Sequence, residues 1–343
     1  MQLSDLDFEL PESLIAQHPA DRREASRMLI VDRKTGLHSD SSFSLFPSEL
    51  GPDDLLVVNN TRVFPARLLG RSETGAAIEV FLINEAGPNI WVALARTGKR
   101  LKPGKRIIFG DGFSGVVEEK LEDGKVRIAF ETDSELNELI DRYGKTPLPP
   151  YIRRNDAAPG SDRERYQTVY AKYRGSIAAP TAGLHFTPVI LQAVRSRGAQ
   201  IAEITLHVGY GTFQPVRAEE LSDHRVLPER YEIDAVTAEM LQNAKSRGQR
   251  IVAVGTTTTR ALESNFAANG RFEAVRTEAD LTITPGYEFR AVDALLTNFH
   301  LPQSSLLILT STFGGHKLIM DAYRHAVDAG YRFYSYGDCM FII

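Results

Sequence analysis

The segment LQAVRSRGAQI at 191–201 recurs as LQNAKSRGQRI at 241–251, with LQ, SRG and Ile at matched positions. Each copy has the order of a helix, a glycine stop and a strand. In the first copy, Thr187 is suited to cap the start of the helix and Gly198 to end it in the left-handed conformation. The second copy ends in the same way at Gly248. This internal repeat, the echo of residues 191–201 at 241–251, predicts two helix–strand units. It is too short to indicate a solenoid repeat.

A third unit follows near the end of the sequence. HKLIMDAYRHAVDAGYRFYSYG at 316–337 predicts a helix that ends at Gly330 and a strand over YRFYSY at 331–336. LLVVNNTRV at 55–63 carries a similar strand signal near the start. Repeated alternation of helices and strands is typical of a mixed or parallel sheet with helices on its faces. We therefore predict an α/β fold.

Residues 62–146 have a different pattern, in which short alternating segments are separated by turns. The segments are AIEVFLI, IWVALAR, RIIFG, SGVVEE and KVRIAF. They favour a small antiparallel barrel or a sandwich. Because α/β signals lie on both sides, we predict a discontinuous α/β catalytic domain of residues 1–61 and 151–343 and an inserted β-rich domain of residues 62–150. Two independent domains placed end to end are the alternative.

Composition narrows the class of protein. The chain has 343 residues, of which 43% are hydrophobic and 24% charged, as in ordinary folded proteins. A formal net charge of −4 neither supports nor excludes an RNA partner. The single cysteine, Cys339, has no second cysteine with which to form a disulfide. Since no signal peptide or membrane-spanning run is evident, we expect a cytoplasmic protein.

Four segments join an apolar run to residues suited to a tight turn or a helix start. They are PTAGLHFT (180–187), LHVGYGTF (206–213), VAVGTTTTRALE (252–263) and TNFHLPQSSLLIL (297–309). In α/β proteins, ligand contacts collect at the carboxyl ends of parallel strands. We therefore predict that the four loops form one composite site.

Together the motifs resemble those of the S-adenosylmethionine:tRNA ribosyltransferase-isomerase family of queuosine biosynthesis. The resemblance runs from end to end of the chain. Its motifs are LPESLIAQHPADRREASRML (10–29), VVNNTRVFPARL (57–68), DRERYQTVYA (162–171), APTAGLHFT (179–187), TLHVGYGTF (205–213), GTTTTRALES (255–264), TNFHLPQSSLLILTSTFGG (297–315) and GYRFYSYGDCMFI (330–342).

The resemblance implies an α/β/α sandwich with a mixed, largely parallel sheet and an inserted small antiparallel β-barrel. It implies that the ribosyl moiety of S-adenosylmethionine is transferred to the aminomethyl nitrogen of 7-aminomethyl-7-deazaguanine at the tRNA wobble position and isomerised. Epoxyqueuosine forms, and adenine and methionine are released. S-adenosylmethionine is then a substrate, the partner is tRNA, no metal or redox cofactor is needed, and the protein is a monomer or weakly associating. An S-adenosylmethionine-dependent RNA methyltransferase and a non-catalytic RNA-binding module are the alternatives.

The chemistry needs a placed base more than a metal, because a sulfonium acidifies the hydrogens on the adjacent ribose carbon. His185, His207 and His300 are the predicted catalytic residues, since imidazole exchanges protons near neutral pH. His185 is the first choice. For each histidine, a hydrogen bond that shapes the loop is the alternative role. Their spacing is unlike that of a zinc-binding HExxH pair, so we expect no metal site.

Substrate contacts are predicted in the same loops. GTTTTRALES follows a strand and begins a helix, where free amides and hydroxyls favour an anionic group such as the methionine carboxylate or an RNA phosphate. Glycines let the backbone approach a ligand, and aromatic rings can stack on a base. Helix capping and core packing are the alternatives. The predicted residues are Thr181, Gly183, Phe186, Gly209, Tyr210, Gly211, Phe213, Thr257, Thr258, Arg260 and Phe299.

Basic residues are predicted to contact tRNA phosphates. Several lie in ARTGKRLKPGKR at 95–106, within the inserted domain, and others follow it or lie in DRERYQTVYA. The predicted contacts are Arg96, Lys99, Arg100, Lys102, Arg153, Arg154 and Arg165. Charge runs are also common in solvated turns, and this alternative stays open. DRERYQTVYA can either bind a guanine-like edge or begin a surface helix.

Overall fold

Strand β3 (Asp54–Asn59) is an interior strand of the main sheet, and all six of its residues are buried. The computed structural model describes residues 1–97, 101–154, 162–213 and 215–343. Its strands are β1 (Arg27–Asp32), β2 (Leu37–Ser42), β3 (Asp54–Asn59), β4 (Thr61–Val63), β5 (Arg67–Ser72), β6 (Ala77–Gly87), β7 (Ile90–Thr97), β8 (Arg106–Gly110), β9 (Phe113–Lys120), β10 (Lys125–Thr132), β11 (Tyr173–Ser176), β12 (Gln200–Leu206), β13 (Glu229–Ile233), β14 (Arg250–Val254), β15 (Val275–Ala279), β16 (Ala294–Asn298) and β17 (Cys339–Ile342).

The helices mostly follow strands of the main sheet. They are α1 (Leu136–Tyr143), α2 (Asp162–Arg165), α3 (Pro188–Ser196), α4 (Ala235–Ser246), α5 (Thr256–Asn269), α6 (Ser305–Gly314) and α7 (His316–Asp328). Among the described residues, no helix is long and apolar enough to cross a membrane.

The main sheet has nine strands in the order β15-β13-β12-β3-β14-β16-β17-β1-β2. The central pairs β12–β3, β3–β14 and β14–β16 are parallel, as is β17–β1, and the remaining pairs are antiparallel. Leu55 and Val57 pack into the core under α4–α7, whereas Leu56 and Val58 pack into a second core with α3. Apolar side chains on both faces are typical of a sheet between two helical layers. The predicted α/β/α sandwich is confirmed.

Six antiparallel strands close into a barrel in the order β10-β7-β6-β5-β8-β9. Leu68, Val80, Leu82 and Ile128 are among its fully buried side chains. Closure removes the exposed strand edges that a sandwich keeps. The structure therefore confirms a barrel and decides against a sandwich.

The chain divides into two compact units. One includes Met1–Arg62 and Arg165–Ile343, and the other includes Val63–Leu148. All nine strands of the main sheet belong to the first unit, and the closed barrel belongs to the second.

The echo corresponds to two matching helix–strand units, α3–β12 and α4–β14. The Thr187 hydroxyl accepts a hydrogen bond from the Ile190 amide at 3.2 Å, as an N-cap does. Gly198 and Gly248 have φ angles of 88° and 67°, which a residue with a Cβ adopts at a cost. Both helix ends were predicted correctly.

The predicted strand at 331–336 is wrong. Only Phe333 forms an isolated bridge there, with Ile15, and the strand lies at Cys339–Ile342 instead. Tyr334 has a φ angle of 75°, which interrupts an extended conformation. Its amide donates to the Phe299 carbonyl, so this segment turns toward the loop after β16.

Leu56→Ala should lower the free energy of unfolding by about 2–5 kcal/mol, because it opens a cavity in the second core. Urea unfolding followed by far-UV circular dichroism measures the change, since most helices belong to the larger unit. Leu37, which is 68% exposed in β2, is the matched control, and Leu37→Ala should cost less than about 0.5 kcal/mol. Equal effects of the two substitutions would contradict this account of the core.

Candidate functional site

A pocket in the larger unit lies beside His185 and encloses about 270 Å³, including its open mouth. Three separate stretches of chain and Arg165 line it. The lining residues are Pro19, Ala20, Arg23, Ser26, Arg165, Leu184, His185, Ser335, Tyr336 and Gly337. The pocket is small and open at its mouth, so it can take up one polar end of a ligand but not a whole one.

Three side chains form a hydrogen-bonded chain at the pocket wall. Nδ1 of His185 lies 2.9 Å from Oγ of Ser26, and Nε2 lies 3.2 Å from Oδ1 of Asn298. The Asn298 amide nitrogen donates to the carbonyls of Tyr334 and Ser335 at 2.8 and 3.4 Å. Because those two carbonyls fix the orientation of the carboxamide, Oδ1 faces the imidazole as an acceptor.

This arrangement defines the tautomer of His185. Nε2 carries the proton that is donated to Asn298, so Nδ1 is the acceptor for the Ser26 hydroxyl. Burial lowers the pKa of His185 to about 4, although the Asn298 bond partly opposes the shift. The ring is therefore neutral near pH 7. Both of its nitrogens are engaged in hydrogen bonds, and Ser26 lines the pocket together with His185.

Two arginines bring positive charge to the pocket. Arg23 donates from Nη1 to the Leu184 carbonyl at 3.0 Å. Arg165 donates from its two terminal nitrogens to the carbonyls of Asp21 and Ala20. The buried Nε of Arg165 has no hydrogen-bond partner, and no described carboxylate pairs with its guanidinium. Backbone carbonyls thus hold a cation in place without neutralising its charge.

The other two predicted histidines lie outside this pocket. His207 is half-buried, and its Nδ1 is 2.8 Å from the Thr61 hydroxyl; burial and the nearby Arg230 lower its pKa. His300 is buried, and its Nε2 is 2.8 Å from the Thr297 hydroxyl. Burial lowers the pKa of His300 to about 3. Each ring contacts a threonine near the end of a strand.

Buried Glu229 ties two of the predicted loops together. Its carboxylate accepts from the Gly209 amide at 2.8 Å and from the Thr212 hydroxyl at 3.3 Å. It also pairs with Arg260 at 3.0 Å. Burial raises the pKa of Glu229, whereas Arg260 and these hydrogen bonds lower it. Arg260 was predicted to bind an anionic group of the substrate, but it forms an ion pair with the carboxylate of Glu229 instead.

One of the predicted threonines at the start of α5 forms a hydrogen bond within the protein. The Thr258 hydroxyl is fully buried and donates to the Val254 carbonyl at 2.7 Å, whereas Thr257 is half-buried. Gly255 precedes the helix with a φ angle of 92°. Of the two threonines predicted to face a ligand, Thr257 has the more accessible position.

The predicted aromatic residues have different surroundings. Phe186 is fully buried against the rings of Phe43 and Phe46, and Phe299 is fully buried among Tyr323, Tyr331 and Phe333. These two rings therefore belong to the core beneath the loops. Tyr210, in the short helical turn Tyr210–Phe213, is half-buried.

Small residues in the loops allow close packing. A Cβ on Gly183 would lie 2.2 Å from the Tyr170 hydroxyl, so this glycine lets Tyr170 pack against the short helical turn Thr181–His185, the His185 turn. A Cβ on Gly211 would lie 3.0 Å from Leu227, and Gly209 is held by Glu229. Thr181 is half-buried at the start of the His185 turn.

The predicted tRNA-contacting residues are divided between the two units. Arg165 lines the pocket. Arg153 is exposed and pairs with Glu12, and Arg154 donates to the Arg153 carbonyl. Arg96 and Lys102 are exposed in the barrel unit. The predicted contacts at Lys99 and Arg100 lie outside the described residues.

Three of the four predicted loops follow the carboxyl ends of strands in the main sheet, namely β12, β14 and β16. β12, β3, β14 and β16 run parallel, so their ends share one edge of the sheet. The Asn59 side chain bonds the backbone of Leu206, and the Gly255 amide donates to the Leu296 carbonyl. The His185 turn joins this edge through Asn298. Within the described ranges, no group of three or more histidines, cysteines, aspartates or glutamates is placed to hold a metal ion.

Comparison with known proteins assigns the family. The sequence model described as queuosine biosynthesis protein matches residues 3–342. A protein of Citrifermentans bemidjiense named S-adenosylmethionine:tRNA ribosyltransferase-isomerase is 49% identical over the full length of both chains. A protein of Syntrophotalea carbinolica with the same name is 46% identical, also over both full lengths. The chain belongs to the S-adenosylmethionine:tRNA ribosyltransferase-isomerase family.

A solved structure supports the assignment. The crystal structure of S-adenosylmethionine tRNA ribosyltransferase from Thermotoga maritima is 37% identical in sequence and has a TM-score of 0.57. The match covers 99% of this chain and 100% of that one. The family resemblance of the sequence motifs is therefore confirmed.

The sequence patterns of this ribosyltransferase-isomerase family member did not indicate several residues that line the pocket or hold its wall in place. Ser26, Arg23 and Asn298 all lie inside motifs that carry the family resemblance, but no local pattern assigns them a role. Ser26 and Asn298 are 159 and 113 residues from His185 in sequence. Only the fold brings them to the imidazole.

The lowered pKa of His185 should make the protein less stable in mild acid. An unfolded histidine takes up a proton near pH 6.5, whereas folded His185 does so near pH 4, so the free energy of unfolding should fall as the pH falls through this window. Urea unfolding at pH 7.5 and 5.0 measures the fall, which should be smaller in His185→Gln. His18 is exposed, and His18→Gln is the matched control. An unchanged pH dependence in His185→Gln would contradict the buried, neutral assignment.

Proposed function

We propose that this protein transfers the ribosyl moiety of S-adenosylmethionine to the aminomethyl nitrogen of 7-aminomethyl-7-deazaguanine at the wobble position of tRNA and isomerises it. The products are epoxyqueuosine in the tRNA, adenine and methionine. The full-length match to relatives of this name carries the proposal. S-adenosylmethionine acts as a substrate here, and the protein supplies binding, orientation and proton transfer.

We propose that the pocket beside His185 is part of the donor site. It lies next to the sheet edge where the ends of β12, β14 and β16 meet, and it combines fixed cations with a neutral imidazole and a hydroxyl. Such polar groups around a small concave site fix the orientation of a ligand. Proton transfer by His185, His207 or His300 stays a prediction, as do the substrate contacts of the other loops.

Exposed cations are proposed to contact tRNA phosphates. In the larger unit these include Arg153, and in the barrel unit Arg96 and Lys102. Phosphate contacts of this kind position a nucleic acid without reading its sequence. We propose that residues 1–61 and 151–343 form the catalytic domain and residues 62–150 an inserted domain. We further propose a monomer that acts on tRNA in the cytoplasm and needs no metal or redox cofactor.

Product analysis distinguishes this activity from its alternatives. The substrates are S-adenosylmethionine labelled in its ribosyl moiety and tRNA that carries 7-aminomethyl-7-deazaguanine. We expect release of adenine and methionine in equal amounts and transfer of the label to the tRNA. The matched control is the same tRNA with guanine at the wobble position, which lacks the aminomethyl nucleophile. Release of S-adenosylhomocysteine would indicate a methyltransferase instead. Binding of tRNA without consumption of the donor would indicate a binding module.

Charge reversal tests the barrel cations. Arg96→Glu combined with Lys102→Glu should weaken tRNA binding and reduce the slope of log K against log salt concentration by about 1.5 to 2, since two phosphate contacts are lost. Titrations at several salt concentrations measure both quantities. Lys317 is exposed on α7, and Lys317→Glu is the control, with an expected slope like that of the wild type. An unchanged slope in the double variant would remove these cations from the interface.

A further inference from the structure

The pocket beside His185 has the chemistry of a site for an amino-acid head group. Arg23 and Arg165 line one part of it, and Ser26 lines another. A guanidinium held by backbone carbonyls is suited to bind a carboxylate. Arg165 in particular has a buried Nε without a partner and no described carboxylate to neutralise it. An anion is therefore the complement of this side of the pocket.

Ser26 is oriented as a hydrogen-bond acceptor. A hydroxyl has one proton and two lone pairs, and the proton of Ser26 is directed to Nδ1 of His185 at 2.9 Å. The competing acceptor, the Arg23 carbonyl, is farther away at 3.4 Å. The lone pairs of Oγ are thus the groups that Ser26 offers to a ligand. An ammonium group, which only donates, fits such an oxygen.

The imidazole behind Ser26 suits a cationic partner because it is neutral. Asn298 fixes the proton on Nε2, and burial keeps a second proton off the ring near pH 7. A charged imidazolium would repel an ammonium and would also take away the acceptor for the Ser26 proton. His185 and Asn298 thus hold the Ser26 hydroxyl in one orientation.

Only one end of S-adenosylmethionine carries an anion beside an ammonium. Its methionine end has both, whereas its sulfonium is a cation that two arginines would repel. The adenosine end is uncharged, so it offers no anion to the two arginines that line the pocket. The geometry points to this pocket as the subsite for the methionine head group of the donor, with its carboxylate on Arg23 and Arg165 and its ammonium on Ser26 Oγ. This inference rests on the proposed function.

Within this arrangement, His185 and Asn298 are positioning residues, since they act through Ser26. Arg23, Arg165 and Ser26 contact the donor. The reacting ribose then lies outside the pocket, on the side of the sheet edge. Other groups of the composite site act on the ribose and the deazaguanine.

Truncated donors test the subsite by matching each substitution to a missing group. Rates of adenine release are measured as kcat/KM at saturating tRNA for S-adenosylmethionine, its decarboxylated form and its deaminated form. For the wild-type protein, each truncated donor should be about ten- to a hundredfold worse, since a charge-assisted hydrogen bond is lost.

Arg165→Gln should lower kcat/KM for the complete donor by a similar factor but leave the decarboxylated donor within about twofold of its wild-type value. Ser26→Ala should also lower kcat/KM for the complete donor by a similar factor, but it should leave the deaminated donor within about twofold of its wild-type value. The insensitive substrate in each case also reports that the variant is folded. Arg22 is exposed one position before Arg23, and Arg22→Gln is the matched control, with all three rates unchanged.

The following outcomes contradict the assignment of this pocket as the subsite for the methionine head group. If either variant lowers the rates of the complete and truncated donors equally, the residue does not contact the group in question. If Arg165→Gln changes only the affinity for tRNA and its salt dependence, the arginine contacts a phosphate. If the wild-type protein releases no adenine from any donor, the proposed function itself is wrong, and this result differs from all of those above.

Discussion

Three distant segments of the chain meet at the carboxamide of Asn298, and the pocket depends on this contact. Its nitrogen holds the backbone at Tyr334 and Ser335, and its oxygen holds the imidazole of His185. All of these groups are buried, so each unmade hydrogen bond would leave a polar atom without water. The network therefore fixes the side chain of Ser26 as well, although Ser26 never contacts Asn298.

The topology of the sheet explains why this contact can form. β16, which ends at Asn298, lies between β14 and β17. β12, β3 and β14 run in the same direction as β16 and bring the loops that follow them to the same edge. A second buried anchor, Glu229, then joins the Gly209 loop to α5. Two polar networks thus fix the loops on a sheet whose faces are closed by apolar side chains. Function resides in the loops, and the sheet sets their positions.

Local sequence patterns predicted the features that depend on local chemistry. The Thr187 cap of α3 and the glycine ends of α3 and α4 were predicted correctly because they require particular residues within one or two turns. The choice between barrel and sandwich stayed open, since alternation defines a strand but not its partners. The strand predicted over 331–336 failed because buried aromatic residues such as Tyr331 and Phe333 resemble a strand even in a turn. The partners of His185 and Arg260 are fixed by tertiary contacts, which no spacing in the sequence records.

The position of β17 has a consequence for the order in which the protein folds. Residues 339–342 lie between β16 and β1, so strand β1, from the first tenth of the sequence, pairs with a strand made more than three hundred residues later. While the ribosome still covers those residues, β1 and β2 lack the strand through which they pair with the rest of the main sheet. The barrel, by contrast, comes from one continuous stretch and can close early in translation. The large sheet, and with it the pocket, is completed only after synthesis has reached β17.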